Sequence, residues 1–174
     1  MPHSTPLISV ITVCYNAQST ILDAINSVNS QSCRDIEHIF IDGGSTDKTC
    51  ELIKGKSIRR SYFVSESDDG IYDAMNKGLA QASGDYVCFL NADDMYLGNH
   101  IISEVAAVLK RSMPDLLYTN IKYVDFENIG RTIRTWVAGQ FTATSLRKGW
   151  MPPHPGCFVL RSIFLDLNGF DKSY

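Results

Sequence analysis

The stretch LISVITVCYN, residues 7–16, decides the fold of this chain. Its first eight residues are mostly β-branched or apolar, which predicts a buried strand over residues 7–14. Tyr15 and Asn16 end that strand, and apolar side chains then recur at helical spacing at residues 21, 25 and 28. A buried strand followed at once by an amphipathic helix is one βα unit.

Three further units of the same kind follow. Strands are predicted at residues 38–41, 62–65 and 86–90, and each precedes a polar turn and an apolar helical stripe. Four successive βα units predict an α/β fold with a mainly parallel sheet flanked by helices. The predicted helix caps are Ser45 or Thr46, Asp68 or Asp69, and Asn99.

The second half of the chain is less regular and predicts a mixed, partly antiparallel region. A hairpin turn is expected at residues 127–130, and Gly169 closes the last short helix. The predicted strands lie at residues 115–119, 122–126, 132–137 and 157–160, and the last helix at residues 162–167. We expect one domain over residues 1–174, with a first half at 1–98 and a second at 99–174.

Composition narrows the function classes. The chain has 174 residues, 44% of them hydrophobic, and a net charge of −3, which fits one globular domain and disfavours nucleic acid as a partner. The five cysteines form no C-x-x-C pair, which favours a reducing compartment. The amino terminus lacks a signal-peptide pattern, so the sequence predicts a cytoplasmic location.

Polar residues follow all four predicted parallel strands. They are Tyr15 and Asn16, then Asp42, then Asp68 and Asp69, then Asn91, Asp93 and Asp94. Each alone is an ordinary turn residue, but the carboxyl ends of parallel strands form the ligand crevice of such folds. There is no G-x-G-x-x-G and no P-loop motif. Carboxylates such as Asp93 suit Mn²⁺ or Mg²⁺, which would bridge the protein to a diphosphate.

Seven motifs in this order resemble the family 2 glycosyltransferases of the GT-A (Rossmann-like) fold. They are residues 7–16, IDGGSTD at 41–47, DAMNKG at 73–78, GDY at 84–86, LNADD at 90–94, PGCF at 155–158 and GFD at 169–171. The resemblance implies transfer of a hexose from a nucleoside-diphosphate donor, of UDP or GDP type, with inversion. It makes residues 1–98 the donor half and residues 99–174 the start of an acceptor half.

The resemblance also implies roles for individual residues. Asp93 takes the metal ligand position of the D-x-D motif, Asp94 lies beside it, and Asn91 replaces the first aspartate. Met75 stands where many relatives carry arginine, so Lys77 is the substitute phosphate contact. The implied nucleotide-binding residues are Thr12, Tyr15, Asn16, Asp42, Asp68, Asn76, Lys77 and Ala92.

The general base of the family lies a short distance after the GFD segment, so the resemblance places it beyond Tyr174 and implies a truncated enzyme. His154 is the candidate base within the chain. A non-catalytic module that binds nucleotide sugars is the alternative. A sugar-phosphate nucleotidyltransferase is disfavoured because residues 15–18 are not a glycine-rich, basic loop.

The expected acceptor is a glycan or a lipid-linked sugar of bacterial surface polysaccharide assembly. Trp136 is a candidate for stacking on an acceptor sugar, with core packing as the alternative. A lipid-linked acceptor would favour peripheral association with the inner face of the membrane. The basic side chains Lys54, Lys56, Arg59 and Arg60 fit a solvated loop, with contact to anionic headgroups as the alternative.

Overall fold

The computed structural model describes residues 7–58 and 60–173. Its strands are β1 (Ile8–Cys14), β2 (Ile36–Asp42), β3 (Arg60–Ser65), β4 (Tyr86–Phe89), β5 (Leu116–Tyr118), β6 (Ile121–Val124), β7 (Thr132–Trp136) and β8 (Cys157–Leu160). Its helices are α1 (Ile21–Asn29), α2 (Thr49–Lys56), α3 (Ile71–Gln81), α4 (Ile101–Ser112), α5 (Ala143–Arg147) and α6 (Arg161–Asp166), with a 3₁₀ turn at His154–Gly156. Arg59, one of the basic residues considered above, lies outside the described residues.

The main sheet has six strands in the order β3-β2-β1-β4-β8-β5. The first four are parallel, and β8 is antiparallel to both of its neighbours. Strands β6 and β7 pair separately as a two-stranded sheet with an irregularity at Tyr123/Val124. The predicted α/β class, with a mainly parallel sheet and a partly antiparallel second half, is confirmed.

Helices cover both faces of this sheet. On one face, α1 and α4 pack against Ile8 and Val10, with Ile102 and Leu109 fully buried. On the other face, α3 packs against alternate residues of the same strands, including Ile11. Every residue of β1 and β2 is buried, because these strands lie inside the sheet and under helices on both faces.

The predicted helix caps are wrong. Helix α2 begins after Lys48, α3 after Gly70 and α4 after His100, and none of the three has a side-chain cap. The predicted capping side chains are used elsewhere. Ser45 donates to Asp42, Asp68 accepts the N–H of Gly70, and Asn99 Oδ1 lies 2.9 Å from His100 Nδ1.

The sequence pattern does not predict two elements of the second half, namely α5 and the 3₁₀ turn. Helix α5 has five residues and buries none of them, so it shows no apolar stripe, but it carries a capping box between Thr142 and Ser145. Of the helices within residues 7–58 and 60–173, none has the length and apolar character needed to cross a bilayer.

Candidate functional site

The carboxyl ends of the four parallel strands meet at one edge of the sheet. Cys14, Asp42 and Ser65 are register partners across β1, β2 and β3. The loop at residues 91–94 follows β4, which pairs with β1 on its other side. The sequence prediction that polar strand ends converge on a single crevice is therefore met in the fold.

The loop after β1 is fixed to the loop after β2. Asn16 adopts a positive φ of 48°, its N–H donates to Ser45 Oγ at 2.7 Å, and its Oδ1 accepts the Thr46 N–H at 2.9 Å. The Tyr15 side chain remains 65% exposed beside this junction. The geometry leaves Tyr15 open to stack on a flat ligand, whereas the side chain of Asn16 positions the loop.

Asp42 organises the loop after β2. Its carboxylate is fully buried and accepts hydrogen bonds from the Ser45 N–H at 2.8 Å and from Ser65 Oγ at 2.6 Å. Burial alone raises the pKa of Asp42, but the hydrogen bonds from Ser45, Ser65 and Cys50 outweigh it and lower the pKa below its ordinary value. The carboxylate stays ionised, with its oxygens directed at its own loop rather than at the crevice.

Thr12 and Ala92 lie beneath the crevice rather than on its surface. Thr12 is fully buried, and its Oγ1 is 2.9 Å from Nε2 of the equally buried His38. Ala92 is 8% exposed and packs in a cluster with Cys14 and Phe40. The hydroxyl of Thr12 faces His38 inside the sheet, and a contact between Thr12 and a base stays a prediction.

The side chain of Asn76 is hydrogen-bonded within the chain, and its contact with a nucleotide stays a prediction. Asn76 Nδ2 donates to the Phe170 carbonyl at 2.9 Å, and Asn76 Oδ1 accepts the Phe170 N–H at 2.8 Å. Both ends of the amide are thus committed to the main chain of one residue. Its role in this structure is to hold the GFD segment against α3.

Lys77 belongs to a charged cluster at the start of α3. Its Nζ is 2.8 Å from Glu66 and 3.4 Å from Asp73, and it donates to the Ser67 carbonyl at 3.1 Å. The hydrogen bond with Glu66 is the largest of the effects that raise the pKa of Lys77. A phosphate contact by Lys77 would compete with two carboxylates of its own chain.

The structure adds Asp73 and Lys172 to this cluster, although neither was singled out in the sequence. Lys172 Nζ lies 2.8 Å from Asp73 Oδ1, and this hydrogen bond is the main cause that lowers the pKa of Asp73 to about 2. Their separation of 99 positions leaves no local signal in the sequence. Asp68 lies beside Gly43 of the loop after β2: a Cβ added at Gly43 would be 2.7 Å from Asp68 Oδ2.

The loop after β4 presents the strongest candidate metal ligands. Asp93 is exposed and Asp94 is half-buried, and both border the same cavity. Burial, followed by the charge of Asp93, raises the pKa of Asp94 to about 6. Among the described residues, the buried Oδ1 of Asn91 takes no hydrogen bond. Two adjacent carboxylates and an unsatisfied amide oxygen fit a hard divalent cation.

No cluster of three His, Cys, Asp or Glu side chains suited to a metal occurs in the part of the chain that the structure describes. Mn²⁺ and Mg²⁺ often take only one or two protein carboxylates, because such ions complete their coordination shell with water and substrate phosphates. Asp93 and Asp94 would hold the ion, with the amide oxygen of Asn91 beside them.

A cavity of about 520 Å³ opens beside these carboxylates. His154 lies on its wall and stacks on Phe89, with ring centroids 6.0 Å apart and planes inclined by 23°. Burial lowers the pKa of His154, so its imidazole is neutral near pH 7 and able to accept a proton. Tyr96 and Trp136 add aromatic surface to the same cavity.

Known proteins share the sequence pattern of this chain. The model of the family described as Glycosyl transferase family 2 matches residues 9–166. A protein of Mycobacterium tuberculosis, named an uncharacterized glycosyltransferase, is 39% identical over 98% of this chain and 65% of its own length. A PGL/p-HBAD biosynthesis glycosyltransferase of Mycobacterium bovis is 32% identical over 98% of this chain and 66% of its own length. The chain spans about two thirds of the length of these curated relatives.

Solved structures share the fold. S. aureus TarS 1-349 in complex with UDP-GlcNAc superposes with a TM-score of 0.75 and 23% identity, covering 92% of this chain and 47% of that one. The mannosyltransferase PcManGT from Pyrobaculum calidifontis, in complex with GDP-Man and Mn²⁺, superposes with a TM-score of 0.69 and 22% identity, covering 99% of this chain and 49% of that one.

Proposed function

The chain belongs to glycosyl transferase family 2, and from that premise we propose that it serves metal-dependent transfer of a sugar from a nucleoside-diphosphate donor, of UDP or GDP type, to a glycan or lipid-linked acceptor. One observation carries the proposal. Asp93 and Asp94 follow the fourth parallel strand and border a cavity of about 520 Å³ that they share with His154. Carboxylates for a metal, space for a substrate and a proton acceptor thus occur together.

The donor's nucleoside is assigned to the loops after β1 and β2. The exposed ring of Tyr15 offers a stacking surface for a base, and Asp42 keeps the neighbouring loop rigid through buried hydrogen bonds. The diphosphate would then lie towards Asp93, at the end of the adjacent strand β4. UDP-GlcNAc in TarS and GDP-Man with Mn²⁺ in PcManGT support a donor of this class.

The proposed reaction is a single in-line displacement with inversion. The acceptor oxygen forms a bond to the anomeric carbon, the bond from that carbon to the diphosphate oxygen breaks, and the acceptor's proton passes to a base. When bound, Mn²⁺ or Mg²⁺ supplies positive charge beside the departing diphosphate. Asp93 and Asp94 would hold that ion in place.

His154 is proposed as the proton acceptor within this chain. Its lowered pKa keeps Nδ1 and Nε2 from being protonated together near pH 7, and its stacking on Phe89 fixes the ring at the cavity wall.

A cytoplasmic location is proposed together with this chemistry. It is supported by Cys14, Cys50, Cys88 and Cys157, which are thiols rather than disulfides in the described structure.

Isothermal titration calorimetry with UDP and with GDP, each with and without Mn²⁺, tests the proposal. We expect binding of at least one nucleotide and a tighter complex with the ion present. Asp35→Ala is the matched control for Asp93→Ala, because this exposed carboxylate precedes β2 and lies at the opposite end of the strand from the crevice. A folded sample that binds neither nucleotide would refute the proposal. Binding without turnover of a nucleotide sugar would favour the non-catalytic module.

A further inference from the structure

Exposed apolar side chains concentrate in one part of the chain. We call residues 121–151 the hairpin surface, since it consists of the β6–β7 hairpin and the segment around α5. Of the seventeen large hydrophobic residues that are exposed in the described structure, eight lie on this short stretch. They are Tyr123, Phe126, Ile129, Ile133, Val137, Phe141, Leu146 and Met151. Such a concentration marks an interaction surface.

Basic residues accompany these apolar side chains. The hairpin surface contains Lys122, Arg131, Arg134, Arg147 and Lys148, but only two acidic residues, Asp125 and Glu127. Its formal charge is therefore +3, although the whole chain carries −3. The remainder of the chain accordingly carries a formal charge of −6.

The apolar side chains at the tip of the hairpin do not stabilise its turn. Asp125 Oδ1 accepts the N–H groups of Glu127 and Asn128 at 2.9 and 3.1 Å, and the Asp125 carboxylate pairs with Arg131 at 3.3 Å. Phe126 and Ile129 remain 76% and 51% exposed. Backbone and charged groups hold this turn, so the two side chains are available for a partner.

The base of the hairpin is fixed to the rest of the domain. Asn120 Oδ1 accepts the Ala138 N–H at 3.0 Å, and Trp150 Nε1 donates to the Ala138 carbonyl at 2.9 Å. Tyr118 donates its hydroxyl to the Gly139 carbonyl at 3.0 Å. The exposed tip is therefore presented from an anchored base.

We propose that the hairpin surface binds an anionic lipid bilayer, with Phe126 and Ile129 entering the interface and the exposed side chains of Arg147 and Lys148 facing lipid phosphates. Apolar and aromatic side chains mixed with Lys and Arg are the composition that interfacial binding uses. Tyr123 and Trp136 of the same hairpin line the cavity beside Asp93. Bilayer contact would bring that cavity close to a lipid-linked acceptor, a consequence that rests on the proposed function.

Charge distinguishes a bilayer from a second copy of this chain as the occupant. Two hairpin surfaces facing each other would bring two formal charges of +3 together, whereas anionic headgroups complement that charge. The hairpin surface is separate from the basic residues around Lys54. In that other region, Lys54 Nζ lies 5.3 Å from the centre of the Phe63 ring, and the nearest exposed large apolar residue in the sequence is Ile58.

Co-sedimentation of the whole chain with vesicles tests this assignment. We expect sedimentation with vesicles of phosphatidylcholine and phosphatidylglycerol, little with phosphatidylcholine alone, and release by salt. The double variant Phe126→Ser/Ile129→Ser should remove most of the binding. Neutralising Arg147 and Lys148 to Gln should weaken it by about fivefold for each charge. The matched control is Ile58→Ser/Leu167→Ser, whose side chains are 77% and 70% exposed elsewhere, and it should bind as the parent does.

All of these side chains are exposed, and circular dichroism verifies that each variant is folded. Nucleotide titration of the same samples separates this proposal from the proposed function, because the hairpin tip lies outside the nucleotide loops. No sedimentation with either vesicle, or equal loss in the control variant, would overturn the proposal. Light scattering that shows a dimer abolished by Phe126→Ser/Ile129→Ser would instead assign the surface to a second copy.

Discussion

The side-chain amide of Asn76 is hydrogen-bonded at both ends to the main chain of Phe170, with distances of 2.9 and 2.8 Å. This pair joins α3 to the segment that follows α6, across 94 positions of sequence. Phe170 also packs edge-on against Phe89 of β4, with ring centroids 5.2 Å apart. The GFD segment is therefore fixed to the core of the domain through its backbone and its ring.

Replacing Asn76 by Ala should lower the free energy of unfolding by about 2–3 kcal/mol, because it leaves the N–H and C=O of Phe170 without their partners. Urea denaturation measures the change. Gln81→Ala, an exposed position at the end of the same helix, is the control and should change stability little. If Asn76→Ala left stability intact but weakened nucleotide binding, Asn76 would face the nucleotide after all.

Gly169 and Gly139 allow backbone strain to be separated from steric conflict. Their φ angles are nearly equal, at 75° and 72°, but a Cβ on Gly169 would lie 2.3 Å from Asn76 Oδ1, whereas one on Gly139 would meet nothing within 4 Å. Gly139→Ala should therefore cost only the left-handed backbone penalty, about 1 kcal/mol. Gly169→Ala should cost at least twice as much in the same urea titration. Equal losses would show that the Asn76 contact is relieved by a small shift.

The sequence predicts the parallel half of the fold well because its signals are local. In β1 and β2 every residue is buried, and runs of β-branched and apolar residues, such as residues 39–41 of β2, identify the strands without knowledge of their partners. Strand β8 was also predicted, at the bounds found. Its place between β4 and β5 depends on pairs such as Tyr86 with Leu160, and no local pattern encodes a pairing over that distance.

The candidate site, too, is predicted from the sequence only in part. Its position follows from the strand ends, whereas the state of each side chain depends on contacts made after folding. Asp42 ends one buried strand and Asp93 follows another, yet Asp42 is enclosed by its own loop and Asp93 is exposed. The partner of Thr12 is His38, in the adjacent strand, and that pairing engages the Thr12 hydroxyl in a buried hydrogen bond.

His38 should make the stability of the fold sensitive to acid. Burial lowers the pKa of His38 to about 3, whereas the unfolded chain takes up the proton near its ordinary value of 6.5. Stability is therefore retained above pH 6.5 and lost as the pH falls below it, by up to about 1.4 kcal/mol per pH unit from this residue. Urea denaturation at a series of pH values measures the slope.

In His38→Gln the part of the slope that comes from this residue should disappear, so the stability difference from the parent should narrow on acidification. Thr12→Val is the matched control, since it removes the hydroxyl beside His38 Nε2 and keeps the imidazole buried. It should lower stability at every pH without flattening the profile. A His38→Gln profile parallel to that of the parent would contradict the assignment.

Asp93 and Asp94 should differ in their effect on the metal. Asp93→Ala should abolish the Mn²⁺-dependent part of nucleotide binding, because it removes the exposed carboxylate beside the cavity. Asp94→Ala should weaken that part less, since Asp94 is half-buried and hydrogen-bonded by Asn91. Calorimetric titration of UDP or GDP with and without Mn²⁺ gives both values, with Asp35→Ala as the unaffected control. Equal losses of Mn²⁺-dependent binding in the two variants would refute Asp93 as the principal ligand, because both carboxylates would then contribute equally.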